Sequence, residues 1–136
     1  MKIYIDINGT IIYRSLEKGR IVVKTAKYLR EFLNHILSKY EVYWLSTMCD
    51  GDIQVVIDYL RPYLAQDLLE QVSRIKPTSW KEYKIEAIDL TEDFLWFDDA
   101  LMQKEEEILK KAGKLDRYVR VNHYKNKDFF KDWLAI

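Results

Sequence analysis

Three short stretches each place an acidic or hydroxyl group at the end of an apolar run. Asp6 closes Ile3-Tyr4-Ile5, Ser46-Thr47 follow Val42-Tyr43-Trp44-Leu45, and Asp98-Asp99 follow Phe94-Leu95-Trp96-Phe97. Short apolar runs bounded in this way read as buried strands. The strand exits of a parallel sheet share one edge, where ligands bind, so these groups can converge. A carboxylate at such a place is costly unless it is paired or bound to a metal. A lysine reaching the same edge would complete a phosphate site, and Lys76, Lys81 and Lys84 are the candidates. Singly, each feature has a plainer reading: Asp98-Asp99 could start a helix, Ser46 or Thr47 could cap a turn, and each lysine could be a solvated charge. The joint occurrence, in order, at strand exits carries the argument.

The elements that must position these groups follow from the apolar pattern. After the turn signal Asn8-Gly9, Ile11 to Val23 reads as a hairpin around Gly19. Thr25 can cap a helix whose apolar positions are Tyr28, Leu29, Phe32, Leu33, Ile36 and Leu37. Glu41 to Leu45 is the second strand. A helix over Asp50 to Leu64 is ended or kinked by Pro62. A short helix and a weak strand at Val72–Ile75 come next, then a helix from Thr78 or Ser79 through Ile88. The strand ending at Asp98-Asp99 precedes a helix from Leu101 to Lys111, closed by Ala112-Gly113. Its acidic and basic run reads as a solvated face. Tyr118 to Val121 and Phe129 to Leu134 supply a last strand and helix. The fold class is therefore α/β: a Rossmann-like, mostly parallel sheet sandwiched by helices, with a short hairpin after the first strand.

Composition narrows the function classes. Of 136 residues, 49% are hydrophobic, which suits one domain over 1–136 with a sizeable core. Lys plus Arg number 22 and Asp plus Glu 22, so net charge gives no argument for nucleic acid or a membrane surface. Local basic residues such as Lys24, Lys27, Arg30, Lys125 and Lys127 are the whole case for a nucleic-acid adaptor. One cysteine, Cys49, suits a reducing cytoplasm. There is no signal-peptide pattern and no apolar run long enough to span a bilayer. Cys49 precedes the acidic Asp50-Gly51-Asp52 rather than a phosphate-cradling loop, so it reads as a core thiol. His35 and His123 have no partner at zinc spacing. Lys76-Pro77 is similar to the lysine of two-component receiver domains, but those carry their acidic pair on the first strand, and here it comes late.

The order Asp, Ser/Thr, Lys, Asp-Asp resembles that of the haloacid dehalogenase-like (HAD) hydrolase superfamily, and the similarity covers nearly the whole chain. D-I-N-G-T resembles its first motif, DxDGT, with Asn8 in place of the second Asp. V-Y-W-L-S-T resembles the second, with its hydroxyl on Ser46 and Thr47 as runner-up. K-I-E-A-I resembles the third, with Lys84 as its lysine and Lys81 as runner-up. F-L-W-F-D-D resembles the double-Asp form of the fourth. The chain has no room for a large cap domain, and the hairpin would be the flap beside the site.

The resemblance implies a Mg2+-dependent phosphohydrolase. Asp6, Asp98 and the backbone carbonyl at Asn8 would hold the metal. Asp6 would form an aspartyl-phosphate. Ser46 and Lys84 would hold phosphate oxygens, and Asp99 would assist through a water or by orienting Lys84. In the family an Asp at the position of Asn8 exchanges the proton with leaving group and water. A carboxamide cannot, and such acid–base help is worth about 10² to 10⁴ in rate. Slow turnover on a phosphorylated substrate is the expectation, and the capless site would admit macromolecular substrates as well as small esters. The alternative is a catalytically impaired module that binds metal and phosphate.

Overall fold

The computed structural model describes residues 1–136. Its centre is a four-stranded parallel sheet: β1 (Lys2–Ile5), β4 (Glu41–Trp44), β5 (Phe94–Asp98) and β6 (Tyr118–Arg120), in the order β4-β1-β5-β6. A separate antiparallel hairpin, β2 (Ile12–Glu17) and β3 (Arg20–Thr25), follows β1. Lys18 and Gly19 both take positive φ at its tip, 50° and 75°, as a tight two-residue hairpin turn requires. The α-helices are α1 (Leu29–Lys39), α2 (Ile53–Leu60), α3 (Gln66–Val72) and α4 (Gln103–Lys111). None of them is long and apolar enough to cross a membrane.

Strand alternation sorts the core into two layers. Ile3, Ile5, Val42, Trp44, Leu95 and Phe97 face one way, against Phe32, Leu33 and Ile36 of α1, Val56 and Leu60 of α2, and Leu68 and Leu69 of α3. Tyr4, Phe94 and Trp96 face the other way, against Ile85, Ile88 and Leu109 of α4. Helical segments thus flank both faces, and the central strands are buried throughout, which is why their sequences are continuous apolar runs.

Several local expectations change. Thr25 ends β3, its hydroxyl donating to the Tyr63 carbonyl, and α1 begins after Tyr28 at φ 61°. The helix expected over Asp50 to Leu64 is α2, Ile53–Leu60, and Asp52 caps it by accepting from the Gln54 amide. The weak strand at Val72–Ile75 is absent. Helix α3 runs through Val72, and pairing is confined to one bridge between Lys76 and Tyr43. The C-terminal helix is a 3₁₀ segment, Phe129–Trp133.

The expected helix from Thr78 or Ser79 to Ile88 shrinks to one 3₁₀ turn, Lys84–Ala87. Two carboxylates explain this. Glu86 accepts the amide protons of Lys81, Glu82 and Tyr83, so those amides are capped by a side chain before any helix can begin. Glu105, buried at the start of α4, accepts from Ile85 N at 3.0 Å and from Met102 N at 3.3 Å. It pins the turn carrying Lys84 to α4.

Candidate functional site

The site lies where the chain path divides. β1 continues through the hairpin and α1 to β4 on one side, and β5 continues through α4 to β6 on the other. Adjacent strands whose connections leave in opposite directions open a crevice at their carboxyl ends. The register pairs Ile5 with Phe97, and Asp6 N donates to Phe97 O at 3.0 Å. The next residues on the two strands, Asp6 and Asp98, therefore sit side by side, 6% and 1% exposed.

Lys84 reaches both. Its Nζ lies 2.7 Å from Asp98 Oδ2 and 3.3 Å from Asp6 Oδ1. Asp98 also accepts from the Trp96 indole N–H at 3.3 Å and from Ala100 N at 3.2 Å. Asp99 completes the acidic group: carboxylate oxygens of Asp6, Asp98 and Asp99 all lie within 4.8 Å of one another. Burial pushes the Asp98 carboxyl up to about 6, with the neighbouring charge of Asp6 adding to it. Burial likewise raises Asp6, opposed by Lys84, and raises Asp99, helped by its contact with Asp98. Burial pulls the Lys84 ammonium down, but the charges of Asp6 and Asp98 outweigh it and hold the group above the ordinary lysine value. One ammonium facing three close carboxylates leaves net negative charge, and hard oxygen ligands so placed suit a divalent cation. The backbone carbonyl oxygen of Asn8 accepts no hydrogen bond from the protein and can serve as a further oxygen ligand.

The structure brings Asp6, Asp98, Asp99 and Lys84 together. Ser46 is buried just after β4 on the same edge, and its Oγ accepts from Met48 N at 3.1 Å. That bond leaves its own proton to donate. Thr47 and Lys81 are exposed, and Lys76 pairs with Glu41 at 3.2 Å. Both ion pairs of Lys84 are with Asp6 and Asp98, and Asp99 instead folds over Gly9.

Gly9 is required by that contact. It has φ +80°, and a β-carbon there would lie 2.1 Å from Asp99 Oδ2. Gly19 has a similar φ of +75° with open space around it. The left-handed conformation costs an L-residue about 1–2 kcal/mol. Gly19→Ala should show that cost alone, and Gly9→Ala should exceed it by the displacement of Asp99. Denaturant unfolding of the two variants tests this, and equal losses would contradict the contact.

A stronger effect is expected at Lys84. Lys84→Met leaves two buried carboxylates facing each other, and breaking a buried pair costs about 3–5 kcal/mol. The sign with pH follows from the raised carboxyl values. An acid whose folded pKa lies above its unfolded value favours folding when protonated and loses that contribution as pH rises through the window. For Asp98 that window runs from 3.8 to about 6. The variant should therefore lose far more stability at pH 8 than at pH 5, measured with a chelator present. A pH-independent loss would mean that Lys84 acts through packing.

Three residues outside the expected set build the surroundings. Tyr59, from α2, donates its hydroxyl to Asn8 Oδ1 at 2.8 Å. His123, 2% exposed, donates from Nε2 to the Thr10 carbonyl at 2.6 Å and stacks on Tyr13. Burial lowers its pKa, so the ring is neutral and Nδ1 carries a lone pair. Glu105 braces the Lys84 turn. No sequence signal singles out Tyr59 or His123, because their partners lie 51 and 113 residues away. Glu105 lies inside a charge run that otherwise faces solvent. Beside the acidic group opens a cleft of about 530 Å³, lined by Asn8, Gly9 and Asp99 and by Ile12, Tyr13, Arg14 and Val23 of the hairpin.

No protein-family model matches the chain, and no curated protein matches its sequence.

Proposed function

We propose that this chain is a small, capless HAD-like hydrolase with a Rossmann-like core, and that it hydrolyses phosphate monoesters with Mg2+. The observation that carries this reading is the Asp6–Lys84–Asp98 group at the exits of two adjacent parallel strands, with Asp99 beside it. The donor set fits a hard cation, and Asp6, Asp98 and the Asn8 carbonyl would hold it. Bound there, Mg2+ would neutralise phosphate charge and let a carboxylate approach an anion.

The chain's own residues do the rest. The Asp6 carboxylate attacks phosphorus, and the bond from phosphorus to the leaving oxygen breaks. Lys84 and Ser46 hold the non-bridging oxygens as charge redistributes. The leaving oxygen takes its proton from solvent, because the Asn8 carboxamide has none to give. Water then attacks the aspartyl-phosphate, releasing inorganic phosphate and restoring Asp6. Asp99, turned toward Gly9, sits on the cleft side and orients water rather than Lys84. A lone buried cysteine fits a reducing cytoplasm.

One observation favours a second reading, a module that binds metal and phosphate with little turnover. A carboxamide, held by the Tyr59 hydroxyl through its Oδ1, stands at Asn8 where the resemblance expects an acid–base carboxylate. A screen of phosphate release from alkyl, aryl and acyl phosphates, with and without Mg2+, separates the two. The first predicts Mg2+-dependent release, fastest for the better leaving groups. The second predicts binding without release.

Metal binding also carries a pH signature. Mg2+ needs Asp98 ionised, so below about pH 6 it must displace a proton. Apparent affinity should rise with pH up to about 6 and level off above. Calorimetry at pH 5.5 in two buffers of different ionisation enthalpy would reveal the released proton. Affinity independent of pH between 5 and 7 would place the metal elsewhere.

A further inference from the structure

We infer that the cleft beside the acidic group takes the base and sugar of a nucleoside monophosphate, with the phosphate directed at Asp6. This deepens the phosphohydrolase reading and rests on it. Asp99 belongs both to the cleft lining and to the acidic group, whose carboxylate oxygens lie within 4.8 Å of one another, so a ligand in the cleft lies beside Asp6 and Asp98. Its volume of about 530 Å³ falls in the range of small-molecule sites. A single benzene ring fits a cavity of about 150 Å³, so there is room for a ring and several further atoms.

The lining has the chemistry of a base site. Tyr63 and Tyr124 line it from two different segments, the turn after α2 and the loop after β6, and are 41% and 69% exposed. Exposed aromatic faces bind a flat ring by stacking, whichever base it belongs to. The Tyr124 hydroxyl donates to the Arg14 carbonyl, which ties the loop to the hairpin at the cleft. Arg14 also lines the cleft and its side chain is exposed, so its guanidinium is within reach to stack on or bond to a heteroaromatic edge. Asn122 Oδ1 accepts from Tyr124 N and Lys125 N, which leaves its two N–H donors for ring nitrogens or carbonyls. His123 Nδ1 is buried in the same lining with no partner, a polar atom that calls for explanation. A simple aryl phosphate would leave the Arg14 and Asn122 donors and most of the volume unused. A nucleic-acid strand is disfavoured by the equal totals of 22 basic and 22 acidic residues, since strand binding draws on many phosphate contacts.

The test is calorimetric titration with adenosine 5′-monophosphate, ribose 5-phosphate and adenosine in saturating Mg2+. The proteins are the natural chain and the double variant Tyr63→Ala/Tyr124→Ala, both of whose positions are exposed. Stacking on tyrosine should make the monophosphate bind about tenfold or more tightly than ribose 5-phosphate. The double variant should lose most of that advantage with ribose 5-phosphate unchanged. Equal binding of the monophosphate and ribose 5-phosphate to the natural chain, which needs no variant, would overturn the assignment alone. So would an advantage that survives the double substitution. Adenosine binding as tightly as its monophosphate would overturn both the assignment and the phosphohydrolase reading beneath it.

Discussion

Asp6→Asn is expected to abolish Mg2+-dependent phosphate release, by on the order of 10³- to 10⁶-fold, the scale seen when an enzyme loses its nucleophile. The amide keeps the size of the side chain and its place at the end of β1 but cannot form the aspartyl-phosphate. The fold should not suffer. Burial raises the Asp6 carboxyl above its ordinary value, which marks its ionised form as a destabilising presence in the metal-free protein. Asn removes that charge and relieves Asp98 of a like neighbour, while Lys84 keeps its 2.7 Å contact with Asp98. The metal-free variant should therefore melt at or above the temperature of the natural chain. Lost activity together with unchanged or raised stability separates a chemical role from a structural one. Lost activity with a lowered melting temperature would assign Asp6 to the scaffold.

The second large effect is a gain. Asn8→Asp should raise turnover of alkyl phosphate esters by about 10²- to 10⁴-fold, the usual worth of positioned acid–base catalysis. Aryl and acyl phosphates should gain much less, because their leaving groups depart as anions. Tyr59 conditions the result: its hydroxyl donates to Asn8 Oδ1 at 2.8 Å, and it can donate equally to a carboxylate oxygen. That bond would lower the pKa of the new acid, so Asn8→Asp with Tyr59→Phe should shift the alkaline limb of the pH–rate profile, where the general acid loses its proton, upward relative to Asn8→Asp alone. Asn8-Gly9 is also a sequence prone to deamidation, so peptide mass mapping should precede the kinetics. Equal alkyl-ester rates for the natural chain and Asn8→Asp would mean that another group supplies the proton.

The sheet was legible in the sequence because its strands are buried on both faces and read as unbroken apolar runs. Their polar ends, Asp6, Ser46 and Asp98-Asp99, stood out for the same reason. The choice among Lys76, Lys81 and Lys84 was not legible from the lysines themselves. It depends on Glu86 capping three amides and on Glu105 reaching Ile85 from α4, two side-chain contacts that override helix propensity over residues 78–88. The same limit hid Tyr59 and His123. Neither has a local pattern, and each acquires a role only when distant parts of the chain meet at the turn after β1. The plain reading of Cys49 as a core thiol agrees with its 2% exposure.

On the phosphohydrolase reading, Asp6 becomes covalently phosphorylated during turnover. With no acid–base group at Asn8 to activate water, the aspartyl-phosphate should persist long enough to be trapped. The direct measurement is to incubate the natural chain with Mg2+ and acetyl phosphate, quench in acid, and map phosphate onto peptides by mass spectrometry. The expected result is an acid-stable, hydroxylamine-labile phosphate on the peptide containing Asp6, absent without Mg2+ and absent from Asp6→Asn. Mg2+-dependent phosphate release with Asp6 unmodified, and undiminished in Asp6→Asn, would contradict it.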